Sequence, residues 1–242
     1  MPYRRLPNTD RARIRALKMA IESCVQGGVY TNTLKHNTYS VAKTMLEKFS
    51  RSVDAYNRCV SEQSSKRSNA KYEAAYKKAR MYVMHFLQVF SMAVMRDEIP
   101  RAKRAYYGLP VEDDSLPTII PESAVLEWSQ KISEGERRRQ GEGGVPIYNP
   151  TMGRVTVACD IFKEMYNRQH RLQQATAEAL ASVAALRPEC DRIIFDVWQE
   201  IEEKFATLTG DERIKRCSEY GIIYYTRRDR NKGSQIPASD NE

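Results

Sequence analysis

Residues 151–186, TMGRVTVACDIFKEMYNRQHRLQQATAEALASVAAL, decide the fold class. Within them Val155, Ala158, Phe162, Met165, Gln169, Leu172, Thr176, Ala179, Val183 and Leu186 recur at alternating spacings of three and four, which aligns them along one face of a helix. No Gly or Pro interrupts the run after Gly153. At a rise of 1.5 Å per residue such a helix is on the order of 50 Å long. A helix that is apolar along one face gains its stability by burying that face against other elements.

Working outward, Arg187-Pro188 predicts a break, because proline lacks the N–H and its ring collides with the carbonyl four residues back. A partner helix over 189–207 then carries Cys190, Ile194, Val197, Ile201 and Phe205, and the two form a hairpin. Another hairpin is expected upstream. Helix 38–61 bears Ala42, Met45, Phe49, Val53, Tyr56 and Val60; helix 69–96 bears Tyr72, Tyr76, Ala79, Val83, Phe86, Phe90 and Val94. The polar turn Glu62–Ser68 joins them, which predicts antiparallel packing with the two stripes facing one core.

Shorter helices are expected at 10–26, started by Thr9 or Asp10 and stopped by Gly27-Gly28, at 122–139, and at 211–220 with Gly221 as left-handed cap. Prolines 100, 110, 117 and 121 with Gly108 predict a structured loop rather than a long regular element. The β-branched and aromatic run Ile222–Thr226 reads as a strand, and Pro2–Leu6 is its best local partner. The expected fold is therefore all-α: an antiparallel four-helix-bundle core of two long helical hairpins, with extra packed helices and a short two-stranded β ladder at the termini. One helical domain covers 1–228, and 229–242 reads as a disordered polar tail.

With 242 residues, 41% of them hydrophobic, the chain can bury a sizeable core without disulfides. Cys24, Cys59, Cys159, Cys190 and Cys217 are odd in number and far apart, a pattern of reduced thiols. Close Cys or His pairs of the kind zinc needs are missing from the sequence. The first residues have charge but no apolar segment behind them, and 18 consecutive apolar residues occur nowhere, which predicts a cytoplasmic protein without membrane association.

The net charge of +8 and pI near 9.2 suit an anionic partner. Basic residues cluster at Arg4, Arg5, Arg11, Arg13, Arg15 and Lys18, at Arg101, Lys103 and Arg104, and at Arg227, Arg228, Arg230 and Lys232. On the first helix Arg11, Arg15 and Lys18 share a side at i, i+4 and i+7, whereas Arg13 points away. Pairing of the terminal strands would gather Arg4, Arg5, Arg227 and Arg228 from opposite ends of the chain into one patch. Glu112, Asp113 and Asp114 are expected to pair with basic surface or to cap helices.

Signals for catalysis are weak. The three histidines, His36, His85 and His170, have no Glu three residues before them, and HExxH is missing, so neither a di-iron bundle nor a zinc protease is indicated. His85 falls at the edge of an apolar stripe. His170, beside Gln169, is expected to join a buried polar network with Thr176. The Gly141-Glu142-Gly143-Gly144 segment lacks the strand and the GK[ST] ending of a phosphate loop.

The strings MPYRRLPNTD (1–10), RARIRALKMA (11–20), YYGLPVEDDSLP (106–117), IYNPT (147–151) and EYGIIYYTRR (219–228) resemble those of an uncharacterised all-helical protein family of Bacteroidetes bacteria. The resemblance spans nearly the whole chain and implies a single intact helical domain, with no activity, ligand or catalytic residue attached. The functional expectation is a non-enzymatic interaction or scaffold protein, without cofactor or metal, whose partner is another protein or a second copy of the chain. The alternative is a nucleic-acid-associated protein that uses Arg4, Arg5, Arg11, Arg15, Lys18, Arg227 and Arg228 on phosphates. A small-molecule-binding bundle or enzyme ranks third.

Overall fold

The computed structural model describes residues 3–26, 29–31 and 33–225. Outside them lie Arg227 and Arg228, the Gly27-Gly28 stop, the outer ends Pro2 and Thr226 of the expected ladder, and the tail. The protein is all-α. In chain order its elements are β1 (Tyr3–Arg4), α1 (Asp10–Ser23), β2 (Val25–Gln26), β3 (Val29–Tyr30), α2 (His36–Gln63) and α3 (Lys66–Met95). A 3-10 helix (Arg101–Tyr107), α4 (Glu122–Gly141), α5 (Met152–Lys204), α6 (Gly210–Glu219) and β4 (Tyr224–Tyr225) follow. No helix among the described residues is long and apolar enough to cross a membrane.

The largest departure from the sequence reading is α5. It runs through Pro188 as one helix of 53 residues, so the break, and with it the second hairpin, does not form. Burial explains how proline is tolerated. Pro188 and Ala184, whose carbonyl loses its N–H partner, are both on the exposed side, where water can hydrogen-bond that carbonyl. On the opposite side Val183, Cys190, Ile194 and Val197 are fully buried. Burying four such side chains is worth several kcal/mol at roughly 1.5–3 kcal/mol each, more than the ~3 kcal/mol that an interior proline costs.

The chain divides into two compact units, Met1–Val60 with Thr176–Glu242, and Ser61–Ala175. The core of the first joins Leu17 and Ala20 of α1, Met45 and Phe49 of α2, and Ile194, Val197, Trp198 and Ile201 of α5. The core of the second joins Val83, Phe86 and Phe90 of α3, Val125 and Ile132 of α4, and Val155 and Phe162 of α5. The stripes of α2 and α3 thus belong to different cores, which corrects the expectation of one hairpin core. Two-residue connection notwithstanding, each helix finds enough apolar surface in its own unit.

In the first unit Thr9 caps α1, its hydroxyl accepting from the Ala12 N–H at 3.2 Å. The terminal ladder forms as expected: β1 pairs antiparallel with β4, Tyr3 opposite Tyr225 and Arg4 opposite Tyr224. Gly221 adopts φ +86°, and a Cβ there would sit 3.0 Å from the Met19 Cβ, so the αL cap also lets the chain pass close to α1. The small hairpin β2–β3, Val25 opposite Tyr30, occupies the end of α1. It was not anticipated because the expected helix ran on to residue 26, whereas α1 ends at Ser23.

In the second unit the 3-10 helix lies against α4. At Gly135 a Cβ would meet the Tyr107 ring at 2.7 Å and the Tyr106 carbonyl at 2.8 Å, so the glycine is required for this approach despite its cost inside a helix. Arg104, fully buried, binds the loop that follows: it donates to the carbonyls of Pro110 at 2.7 Å and Ser115 at 3.2 Å and to Ser91 Oγ at 3.3 Å. Asp114 lies 3.0 Å from Arg101, which fits the expected pairing of the acidic run with basic surface.

Candidate functional site: a basic face and pocket on the first unit

Three of the basic residues of α1 and its surroundings are committed internally. Arg13, read from the sequence as pointing away, is buried and makes a bidentate pair with Asp191, at 2.8 and 2.9 Å, and a further contact to Asp10 at 3.3 Å. Arg187 in turn chelates Asp10, at 2.8 and 2.7 Å. The four charges Arg187, Asp10, Arg13 and Asp191 therefore flank Pro188 and fasten α1 to α5. The Arg187 hydrogen bonds hold the Asp10 carboxyl below the usual range despite opposing burial, and the Asp191 hydrogen bonds hold the Arg13 guanidinium fully charged.

Arg4 is committed as well. It donates to Glu202 at 2.8 Å and lies over the Phe195 ring, 4.8 Å from its centroid. Glu202 also accepts from the Tyr224 hydroxyl at 2.6 Å. Burial, then that bond to an anion, pushes the Tyr224 hydroxyl well above its ordinary value. Arg4 presents its charge to Glu202 rather than to solvent.

Arg5, Arg11, Arg15 and Lys18 remain exposed. Lys18 has Glu22 at 3.7 Å, an exposed i,i+4 pair worth little in water. Arg5, Arg11 and Arg15 have no ion pair among the described residues. Of the seven residues grouped from the sequence, then, four form an open basic face, one is neutralised, and Arg227 and Arg228 lie outside the described residues.

Beside this face is a cavity of about 480 Å³, walled by the arm, α1, Trp198 of α5, α6 and the segment Gly221–Tyr225. Its apolar wall includes Leu6, Pro7, Met19, Trp198, Ile214 and Ile222; among the described residues Arg5 and Arg15 are its cations, and no Asp or Glu lines it. Trp198 is 2% exposed, and its buried indole N–H has no acceptor among the described residues. A buried donor in that position costs about 1–3 kcal/mol. Sequence reasoning placed Arg5 and Arg15 in the patch but missed the pocket, whose walls come from five separate segments.

Comparison of the chain with known protein families, characterised proteins and solved structures returned no match. The chemistry of the site stands on its geometry.

In the second unit, a charged cluster sits next to a cavity of about 560 Å³ that Arg139 helps to line. Glu136 and Arg139 are 1% and 4% exposed. Glu136 accepts from Tyr107 at 2.5 Å, from Arg139 at 2.8 and 2.9 Å, from Gln140 at 2.8 Å and from the Ile147 N–H at 3.3 Å. Burial alone would raise its pKa; Arg139, Tyr107 and Gln140 together hold it below the ordinary value. Arg139 also donates to the Val145 carbonyl at 2.8 Å. With every group engaged, the cluster fastens the 145–147 segment to α4 and is structural.

The histidines gather no site. His36 is exposed and edge-on to Tyr30, His85 is half-buried, and His170 is exposed against Tyr166 at 4.5 Å between ring centroids, which corrects its expected place in a buried network. Among the described residues, no three His, Cys, Asp or Glu side chains come together as a metal centre would require.

Proposed function

We propose that the protein is a non-enzymatic interaction protein whose first unit holds an anionic partner on the face formed by the N-terminal arm and α1. The observation that carries this reading is the sorting of arginines. Arg4, Arg13 and Arg187 are each matched to a carboxylate, while Arg5, Arg11 and Arg15, a few residues away, are left to solvent. A basic face that is not neutralised internally raises the local concentration of anions and favours their docking. An acidic protein surface is the favoured partner. Nucleic acid is the second reading, supported by the helical spacing of Arg11, Arg15 and Lys18, which can follow successive phosphates.

The test is anisotropy of labelled poly-L-glutamate and labelled single-stranded DNA at a series of salt concentrations, with Arg11→Gln/Lys18→Gln as the variant. Salt-dependent binding of polyglutamate that weakens in the variant supports the first reading. Preferential DNA binding, with a salt slope that falls by about 0.7 per lost contact, supports the second. If neither probe binds, or the variant binds equally well, the face is not a binding site.

A further inference from the structure

We propose that the 480 Å³ cavity of the first unit is a binding site for an amphipathic organic monoanion, a carboxylate carried on an apolar body. The inference rests on reading the arm and α1 as an anion-binding face, and narrows it to a small molecule at one end of that face. Three independent features agree. The wall is mainly apolar, with Leu6, Met19, Trp198, Ile214 and Ile222 available to cover a hydrocarbon chain or ring. Its charges are of one sign among the described residues, where Arg5 and Arg15 line it and no carboxylate does. Trp198, a residue of the same wall, carries a buried indole N–H without an acceptor among the described residues, a donor that a ligand oxygen would satisfy once the wall yields to it.

The features also exclude other ligands. A cation would meet two guanidinium groups and, among the described residues, no counter-charge. A highly charged polyphosphate would leave the apolar wall unused and carries more negative charge than two arginines balance. A neutral apolar molecule would fill the cavity without using either arginine. The size suits a body of about ten carbons, since the cavity lies within the usual ~300–1,000 Å³ of small-molecule sites.

The protein reports on its own pocket. It has two tryptophans, Trp128 and Trp198, so the full chain with Trp128→Phe leaves the emission of Trp198 alone. Decanoate and its uncharged counterpart decanol are titrated against this protein. The expected result is a saturable change in Trp198 emission with decanoate at micromolar concentration, and affinity for decanol lower by about tenfold or more, the loss of a charge-assisted interaction. Arg5→Gln/Arg15→Gln should weaken decanoate by a similar factor and leave decanol unchanged. Ala12→Phe, which places a ring in the cavity from the half-buried Ala12 on its α1 wall, should abolish both signals while the helical circular dichroism is retained.

The proposal is overturned if decanoate gives no saturable change, if decanol binds equally well, or if Ala12→Phe leaves decanoate binding intact. Should the Ala12→Phe protein lose its helical signal, Met19→Phe, which adds no fluorophore, is the replacement blocking variant and is judged by the same criterion. Failure here with polyglutamate still bound through Arg11 and Lys18 would remove the pocket and leave the basic face. Loss of polyanion binding with decanoate retained would do the reverse.

Discussion

Replacing Pro188 by alanine should stabilise the protein, a result that follows from the continuous α5 and from no other arrangement of this segment. An interior proline is about 3 kcal/mol less favourable than alanine, through the missing N–H and the clash with the carbonyl four residues back. Part of that gain is offset. The Ala184 carbonyl is on the exposed side and already open to water, and removing proline loosens the unfolded chain by about 0.4–1 kcal/mol. A net gain of about 2 kcal/mol remains, or a rise in Tm of roughly 4–8 °C for a chain of this size. Urea unfolding followed by Trp198 emission in a Trp128→Phe background reads the correct core, since Trp198 is buried beside Ile194 and Val197. The Arg187–Asp10 and Arg13–Asp191 pairs on either side should be unaffected, so the midpoint moves with little change in slope. A variant that is destabilised, or shifted by less than about 0.5 kcal/mol, would show that Pro188 ends a helix in solution and that the hairpin read from the sequence is correct.

In the second unit, Glu136→Gln should cost about 3–5 kcal/mol by leaving the buried Arg139 charge unpaired, and Arg139→Met in the same chain should recover part of it; a cost below about 1 kcal/mol by denaturant titration would refute the buried pair. Because Glu136 and Asp10 are held below ordinary carboxylate values, their contribution is complete above about pH 4.5 and is lost as pH falls through the folded values, so the gap between wild type and Glu136→Gln should close on acidification. A thiol reagent at pH 8 should modify Cys59 first: it is half-buried, whereas burial pushes Cys24 up to about 11 and Cys190 up to about 12, and rapid reaction of a Cys59→Ser protein would contradict this. Phe162→Ala should destabilise by about 3–5 kcal/mol, since the ring is fully buried among Tyr72, Tyr76 and Tyr166, and calorimetry showing under about 1 kcal/mol would exclude that packing. Arg4→Gln should cost about 1.5–3 kcal/mol through the Glu202 pair, while Arg5→Gln stays within about 0.5 kcal/mol; equal thermal shifts for the two would refute their separate assignment.

Much of the fold was legible because long amphipathic helices write their faces into the sequence at a fixed period. The α3 stripe from Ala79 to Val94 is buried where expected, and the 3-residue and 4-residue spacing of α5 marks Val155, Phe162 and Val183 correctly. Periodicity says which face is buried but not what covers it, and for that reason the α2 and α3 stripes were assigned to one core rather than two. In α1 the sequence spacing picks Ile14, Leu17, Ile21 and Cys24 as the apolar stripe, and of these Leu17 and Cys24 are fully buried. Ile14 and Ile21 are at the flanks, Ala16 and Ala20 take the inward positions beside Leu17, and Arg13 is on the buried side. The two alanines were the available signal, since small residues at i and i+4 permit close approach of a neighbouring helix. Glu136 and Arg139 were hidden in a polar helix end because a buried ion pair has the same composition as a solvated one.

The candidate site was legible in its charges and illegible in its shape, for a physical reason visible at Arg4 and Arg5. Neighbouring residues of an extended strand point to opposite sides. Arg4, paired with Tyr224 in the ladder, turns to Glu202 and Phe195; Arg5, next in sequence, lines the cavity. The charge that ties the arm down and the charge that can meet a ligand are therefore adjacent, and neither could take the other's place without a one-residue slip of the ladder. Such a slip would bury Arg5 against the carboxylate and withdraw one of the two cations from the pocket. The two-residue ladder is too short to hold that register unaided. The Arg4–Glu202–Tyr224 bonds and the close passage of Gly221 over α1 fix it, so the placement of Arg5 in the cavity wall depends on Arg4 and Glu202, which do not line that cavity.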